Sequence, residues 1–208
     1  MVSNAAVVGG GLYSGTYQVF RAGNSIVAGN SAPGGGPDCA GTITSDDYNL
    51  IQNTTGAGLV GATTHNIYNQ DPKLGPLADL GGPTPTHALR FDSRAIDAGN
   101  SGGLTTDQRG FPRPIGTPAV AGGDGSDIGA YEADPNLRLN GFGKTGADIW
   151  LSFNSMWGRI YRVESTDQLP PTWNVLTNDV PGTGGRFQTL DRGAASLPKR
   201  FYRTVLLP

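Results

Sequence analysis

Short apolar pairs recur through the first third of the chain too closely for a helix to fit between them. Val7-Val8, Ile26-Val27, Leu50-Ile51 and Ile67-Tyr68 are separated by Gly- and Asn-rich turns, at intervals of 19 (7 to 26), 24 (26 to 50) and 17 (50 to 67) residues. A strand–helix–strand crossover needs roughly 30 residues, whereas one coil of a solenoid takes about 20–45. The spacing therefore predicts stacked parallel strands, the end of a parallel β-helix. Asparagines flank the pairs, Asn24 and Asn30 around 25–29 and Asn49 and Asn53 around 50–52. Asn tolerates left-handed backbone and suits tight corners, and stacked on its equivalent in the next coil it forms an amide ladder. The alternative is an ordinary sandwich in which Asn and Gly mark hairpin turns.

Composition removes several function classes. Fifteen basic residues face 17 acidic ones for a net charge of −2, which leaves no electrostatic footprint for nucleic acid or an acidic membrane. No apolar run approaches the ~18 residues that span a bilayer, so no membrane span is expected. Cys39 is the single cysteine and has no intrachain partner for a disulfide or a Cys-pair metal site. The residues after Met1 lack a basic stretch followed by an apolar run, so no secretory signal is read there. The chain reads as a fragment whose export signal lies upstream.

Prolines at 72, 76, 83, 85, 112 and 114 punctuate residues 71–132. Each removes a ladder donor, so this stretch reads as terminal turns and an irregular Pro/Gly-rich cap covering the exposed solenoid end, with short strands at 87–90 and 127–131. Composition changes at 133–136. Beyond it lie all three tryptophans and candidate strands at 149–153, 159–164, 173–176, 186–190 and 201–206, separated by Gly and Pro turns. Short strands at near-regular spacing read as a small antiparallel β-sandwich. The expected architecture is all-β in two domains, 1–132 and 136–208.

Particular motifs carry a family likeness. They include Asn24-Ser25-Ile26-Val27-Ala28-Gly29-Asn30, Pro37-Asp38-Cys39, Leu77-Ala78-Asp79-Leu80-Gly81-Gly82-Pro83-Thr84-Pro85-Thr86-His87, Ala95-Ile96-Asp97-Ala98-Gly99, Thr106-Asp107-Gln108-Arg109-Gly110, Arg113-Pro114 and Asp127-Ile128-Gly129-Ala130-Tyr131-Glu132. Over residues 24–132 the chain resembles the choice-of-anchor Q domain, found near the C-terminus of bacterial surface and secreted proteins built on right-handed parallel β-helices. The tail is similar to β-sandwich modules that end many secreted bacterial proteins. The resemblance implies a right-handed β-helix and an extracellular or cell-surface location. It departs from the family at Ala57 and Ser126, in neighbourhoods where members often carry a further cysteine.

Candidate sites are few. His65 and His87 lack any sequence constellation for nucleophilic catalysis, and His87 reads as a hydrogen-bonded structural residue. The runs 9–11 and 34–36 of glycine lack the lysine and helix start of a phosphate loop and read as turns. Asp46-Asp47 and Asp124-Gly125-Ser126-Asp127 offer oxygens to a structural calcium, although Asp beside Gly is ordinary turn chemistry; no other cofactor is expected. Asp97, Asp107, Arg109, Arg113 and Glu132 share one block and are expected to form bidentate ion pairs that hold the cap. Of Trp150, Trp157 and Trp173, Trp157 sits in a turn and is the candidate for stacking on a glycan.

These features predict a non-enzymatic C-terminal portion of a bacterial secreted or surface β-helix protein. It would serve as a structural or adhesive stalk end with an attachment or sorting module, and its partners would be extracellular glycans or cell-envelope components. The alternatives are the end of a β-helical polysaccharide lyase or hydrolase, and a carbohydrate-binding module at 136–208.

Overall fold

The computed structural model describes residues 1–16 and 18–208. The chain is all-β and forms two compact units, one of residues 1–74 and 92–132 and the other of residues 75–91 and 133–208. Residues 75–91, placed in the first domain by composition, group with the second unit.

The first unit is built on parallel pairing. Its strands are β1 (Leu12–Ser14), β2 (Phe20–Ala22), β3 (Ile26–Val27), β4 (Cys39–Asp46), β5 (Leu50–Ile51), β6 (Ala57–Ala62) and β7 (Ile67–Tyr68). β4 takes β1 and β2 on one edge and β6 on the other, all parallel. A separate parallel sheet runs β3-β5-β7, with Ile26 beside Leu50 and Leu50 beside Ile67. Three of the four apolar pairs therefore stack. The fourth does not, since Val2 occupies the position next to Ala28 and Val7 lies 75% exposed. The interval of 19 therefore began at a residue outside the stack, while the stacked pairs themselves stand 24 and 17 residues apart, so the connecting segments differ in length.

Alternation along β4 turns Ile43 and Cys39 inward, where they meet Leu12, Ala22, Val27 and Ile51 in one apolar cluster fed by both sheets. The thiol of Cys39 is fully buried, and burial, with the charge of Asp38, pushes it up to about 11.

The two glycine runs have a role beyond turning the chain. Successive N–H groups of Gly9, Gly10 and Gly11 donate to the carbonyls of Gly35, Gly36 and Pro37 at 3.2, 3.3 and 3.1 Å. A Cβ on Gly10 would come within 2.5 Å of the Pro37 carbonyl and 2.6 Å of that of Ser31. Only glycine lets these two backbones lie against each other.

Residues 92–132 hold no strand. The short strand expected at 127–131 does not form, because its N–H groups are taken individually: Ile128 donates to Ala95 O at 2.8 Å and Gly129 to Asn24 O at 3.0 Å. Ile128 and Ala95 are completely buried.

The second unit starts with a two-stranded sheet of β8 (Leu74–Ala78) and β9 (Thr86–Leu89). It continues with β10 (Leu139–Thr145), β11 (Asp148–Asn154), β12 (Ile160–Thr166), β13 (Asn174–Pro181), β14 (Arg186–Asp191) and β15 (Phe201–Leu207). These six make two antiparallel sheets, β10-β11-β14 and β13-β12-β15. Ile149, Leu151 and Phe153 of β11 meet Tyr161 and Val163 of β12 and Val180 of β13 in a shared core. Period-2 alternation made β11 to β15 readable in the sequence. β10 escaped notice because glycines at 141 and 143 blank its pattern.

Candidate functional site

The five residues of the predicted ion-pair block separate into two arrangements. Arg109 Nε and an Nη both donate to Asp107 Oδ2, at 2.9 and 2.7 Å, and that Nη also reaches the Glu132 carbonyl at 2.6 Å. Its guanidinium lies over the rings of Tyr131 (3.8 Å) and Phe111 (4.4 Å). Arg113 donates to Glu132 Oε2 at 2.7 Å and to the carbonyls of Asp127 and Tyr131 at 3.0 and 3.3 Å. These side chains are almost wholly excluded from solvent. Neither pair has the fork-to-fork geometry expected from sequence. A chain without ladders leaves carbonyls to be satisfied, and both guanidiniums donate to the main chain as well as to a carboxylate oxygen.

Asp97 joins neither pair. It has left-handed backbone (φ 57), and burial together with the charge of Glu132 raises its carboxyl above the usual range. Burial acts to raise Asp124 as well, but bonds from the hydroxyls and N–H groups of Ser101 and Ser126 outweigh it and hold that carboxyl well below the ordinary value.

The other acidic candidates also have protein partners. Asp46 pairs with Arg21. Asp127 Oδ1 accepts the Asp97 N–H at 2.9 Å. Among the described residues no three His, Cys, Asp or Glu side chains converge as metal ligands do.

Asp47 forms a constellation the sequence reading missed. Its backbone is left-handed (φ 75), as is that of Tyr48 (φ 55), and this sharp corner turns the carboxylate toward His65, 18 residues on. Oδ1 accepts the His65 N–H at 2.7 Å, and Oδ2 lies 2.8 Å from Nδ1. Tyr48 stacks on the imidazole, centroids 4.8 Å apart and planes within 7°. Burial alone would raise the Asp47 carboxyl; bonds from His65 and the Tyr48 N–H reverse that and lower it. The arrangement fixes the ring through Nδ1 and the stacked Tyr48, as the orienting carboxylate does in the base–orienter half of a triad. No hydroxyl or thiol bonds Nε2 among the described residues. The available signal was the Asp46-Asp47-Tyr48 corner, one layer before His65. The other histidine, His87, donates from Nδ1 to Gly75 O at 2.8 Å.

Trp157, expected at an exposed turn, is half-buried, with Gly75 lying against its indole. Trp150 lies along Gly141 and Gly143, and Trp173 is covered by the Arg203 guanidinium, 4.4 Å from the ring centre.

No family model, curated protein or solved structure matches the chain. The site readings therefore rest on geometry.

The second unit also holds a small concavity of about 100 Å³ where the ends of β11 and β12 meet the segment 134–137. Arg159, Asn154, Tyr161 and Asp134 supply its polar wall, and Leu137 and Leu206 part of its apolar wall. No helix is long and apolar enough to cross a membrane.

Proposed function

We propose that this chain is a non-enzymatic C-terminal portion of a bacterial secreted or cell-surface protein. Residues 1–132 close a right-handed parallel β-helix, and the sandwich at 136–208 serves attachment. The observation that carries this reading is a run of asparagine contacts just before the strands of the parallel sheet β3-β5-β7: the Asn49 N–H donates to Asn66 Oδ1 at 2.7 Å, and the Ser25 N–H donates to Asn49 Oδ1 at 3.1 Å. Asn49 is 1% exposed and its amide also bonds Ala22 O and Ser45 Oγ. Such a ladder suits a solenoid, whose merit is extended surface with backbone groups satisfied between neighbouring coils. The motif resemblance over residues 24–132 points the same way.

A second reading, the end of a polysaccharide lyase or hydrolase, is favoured by the Asp47–His65 pair. Two assays on the full chain separate the readings. Cosedimentation with bacterial envelope fractions measures attachment, and the absorbance of unsaturated sugar ends measures turnover of pectin and alginate. Retention without turnover is expected. Turnover that disappears in Asp47→Ala and His65→Ala would replace the stalk reading with the enzymatic one.

A further inference from the structure

The strand β4 has parallel neighbours on both edges, whereas its neighbours have open outer edges. Among the described residues β1 and β2 pair only with β4, and so does β6. The segment 92–132 supplies no strand to either side. Alternate residues of a strand turn their main-chain groups to the same neighbour. Gly56 O takes the Gly41 N–H at 3.0 Å, so the N–H and carbonyl of Leu59, three residues on, point away from β4.

An open edge is a template for another strand, and proteins blunt it with Lys, Pro or a bulge. β6 has none of these. It reads Ala-Gly-Leu-Val-Gly-Ala, pairs with β4 in unbroken register and leaves Val60 49% exposed. No Asp, Glu, Lys or Arg lies between positions 48 and 70. The opposite edge is similar. Residues 1–20 carry no charged side chain, and Tyr13 of β1 is 56% exposed. The charged side chain on that edge is Arg21 of β2, which pairs with Asp46.

The register shows what fits the open side of β6. Phe20, Arg21 and Ala22 lie beside Ile43, Thr44 and Ser45 of β4, and those three lie beside Leu59, Val60 and Gly61. Both series run from a large aliphatic residue through a β-branched one to a small one. β6 therefore presents the pattern that β2 already accepts from β4, in the same strand direction. The strand that matches it is β2 of another copy of this chain.

We propose that the first unit self-associates end to end, β6 of one copy pairing in parallel with β2 and β1 of the next. Leu59, Val60 and Gly61 then lie beside Phe20, Arg21 and Ala22 of the next copy. The two edges differ, so the contact is heterologous and repeats from copy to copy as a growing chain. The inference stands on strand pairing within the first unit and is independent of what the second unit attaches to.

Light scattering of the full chain after gel filtration, over a concentration series, is the test. The mass of the parent is expected to rise past that of a dimer as concentration increases. Val60→Lys sets an ammonium beside the next copy's Arg21, and like charges on neighbouring strands repel. This variant should need about tenfold more protein to reach the same mass. Val60→Glu sets the opposite charge beside the same Arg21 and should associate at least as well as the parent. Unchanged circular dichroism and urea midpoints show that both variants fold. A parent that stays monomeric throughout overturns the proposal. Equal association of all three proteins overturns it too, by placing the contact elsewhere. Loss in Val60→Glu, alone or together with Val60→Lys, would overturn the end-to-end arrangement, since two β6 strands pairing with each other would bring either charge against itself.

Discussion

Asp47 holds His65 at two points, through the main-chain N–H at 2.7 Å and through the ring Nδ1 at 2.8 Å. One carboxylate thereby fastens two layers of the first unit. Replacing it with Asn keeps a residue that tolerates φ 75 but removes the charge. Asp47→Asn should cost about 1–3 kcal/mol, read as a lower urea midpoint.

Acidification should act through the same contacts. The folded-state carboxyls of Asp47 and Asp124 lie below their ordinary value. Their contribution is complete above the unfolded carboxylate value of about 4 and is lost as pH falls through the lower folded values. Urea midpoints taken on descending pH should therefore fall in the acid range. The double variant Asp47→Asn/Asp124→Asn should show a flatter profile, and an unchanged slope would show that other carboxylates dominate.

Asp97 should behave in the opposite sense. Its carboxyl is raised by burial and by Glu132, so the folded state is penalised as pH rises from the unfolded value through the folded one. Asp97→Asn, which retains left-handed backbone readily, should raise the urea midpoint at neutral pH, and the gain should vanish in acid.

Arg113 and Glu132 test how much the irregular segment depends on a buried pair. Glu132 accepts Arg113 Nε and the N–H groups of Ile115 and Asp127, at 2.7, 2.9 and 3.0 Å. Arg113→Met leaves that carboxylate buried without its cation and should cost about 3–5 kcal/mol. Glu132→Gln added to Arg113→Met should cost less than the two single changes together, because the pair is coupled. Equilibrium urea unfolding of the four proteins provides the comparison.

Gly143 can be tested by fluorescence. A Cβ there would come within 2.5 Å of the Trp150 indole. Gly143→Ala should lift the ring off β10, shift its emission toward that of solvated indole and cost about 1–3 kcal/mol, as overpacking does. Unaltered emission would mean that the backbone of β10 moves instead.

The sequence was legible wherever local chemistry repeats. Apolar pairs at 26, 50 and 67 marked one parallel sheet, and alternation marked β11 to β15. Repetition misled at Val7-Val8, where an apolar pair lies in solvent, and gave nothing for β10. The ion-pair block was legible as a neighbourhood of charges, while its geometry and the isolation of Asp97 were not, because carbonyls freed by an irregular path compete for the same guanidinium donors.

By itself the amino-acid sequence determined an all-β chain and the corners its Gly, Asn and Pro residues impose, since turn preference and side-chain alternation act between near neighbours. Only the tertiary structure decided which distant groups meet: Asp47 with His65, Arg113 with Glu132, and Asn24 with the Gly129 N–H. Those meetings depend on the register of whole strands, which no single stretch of residues encodes.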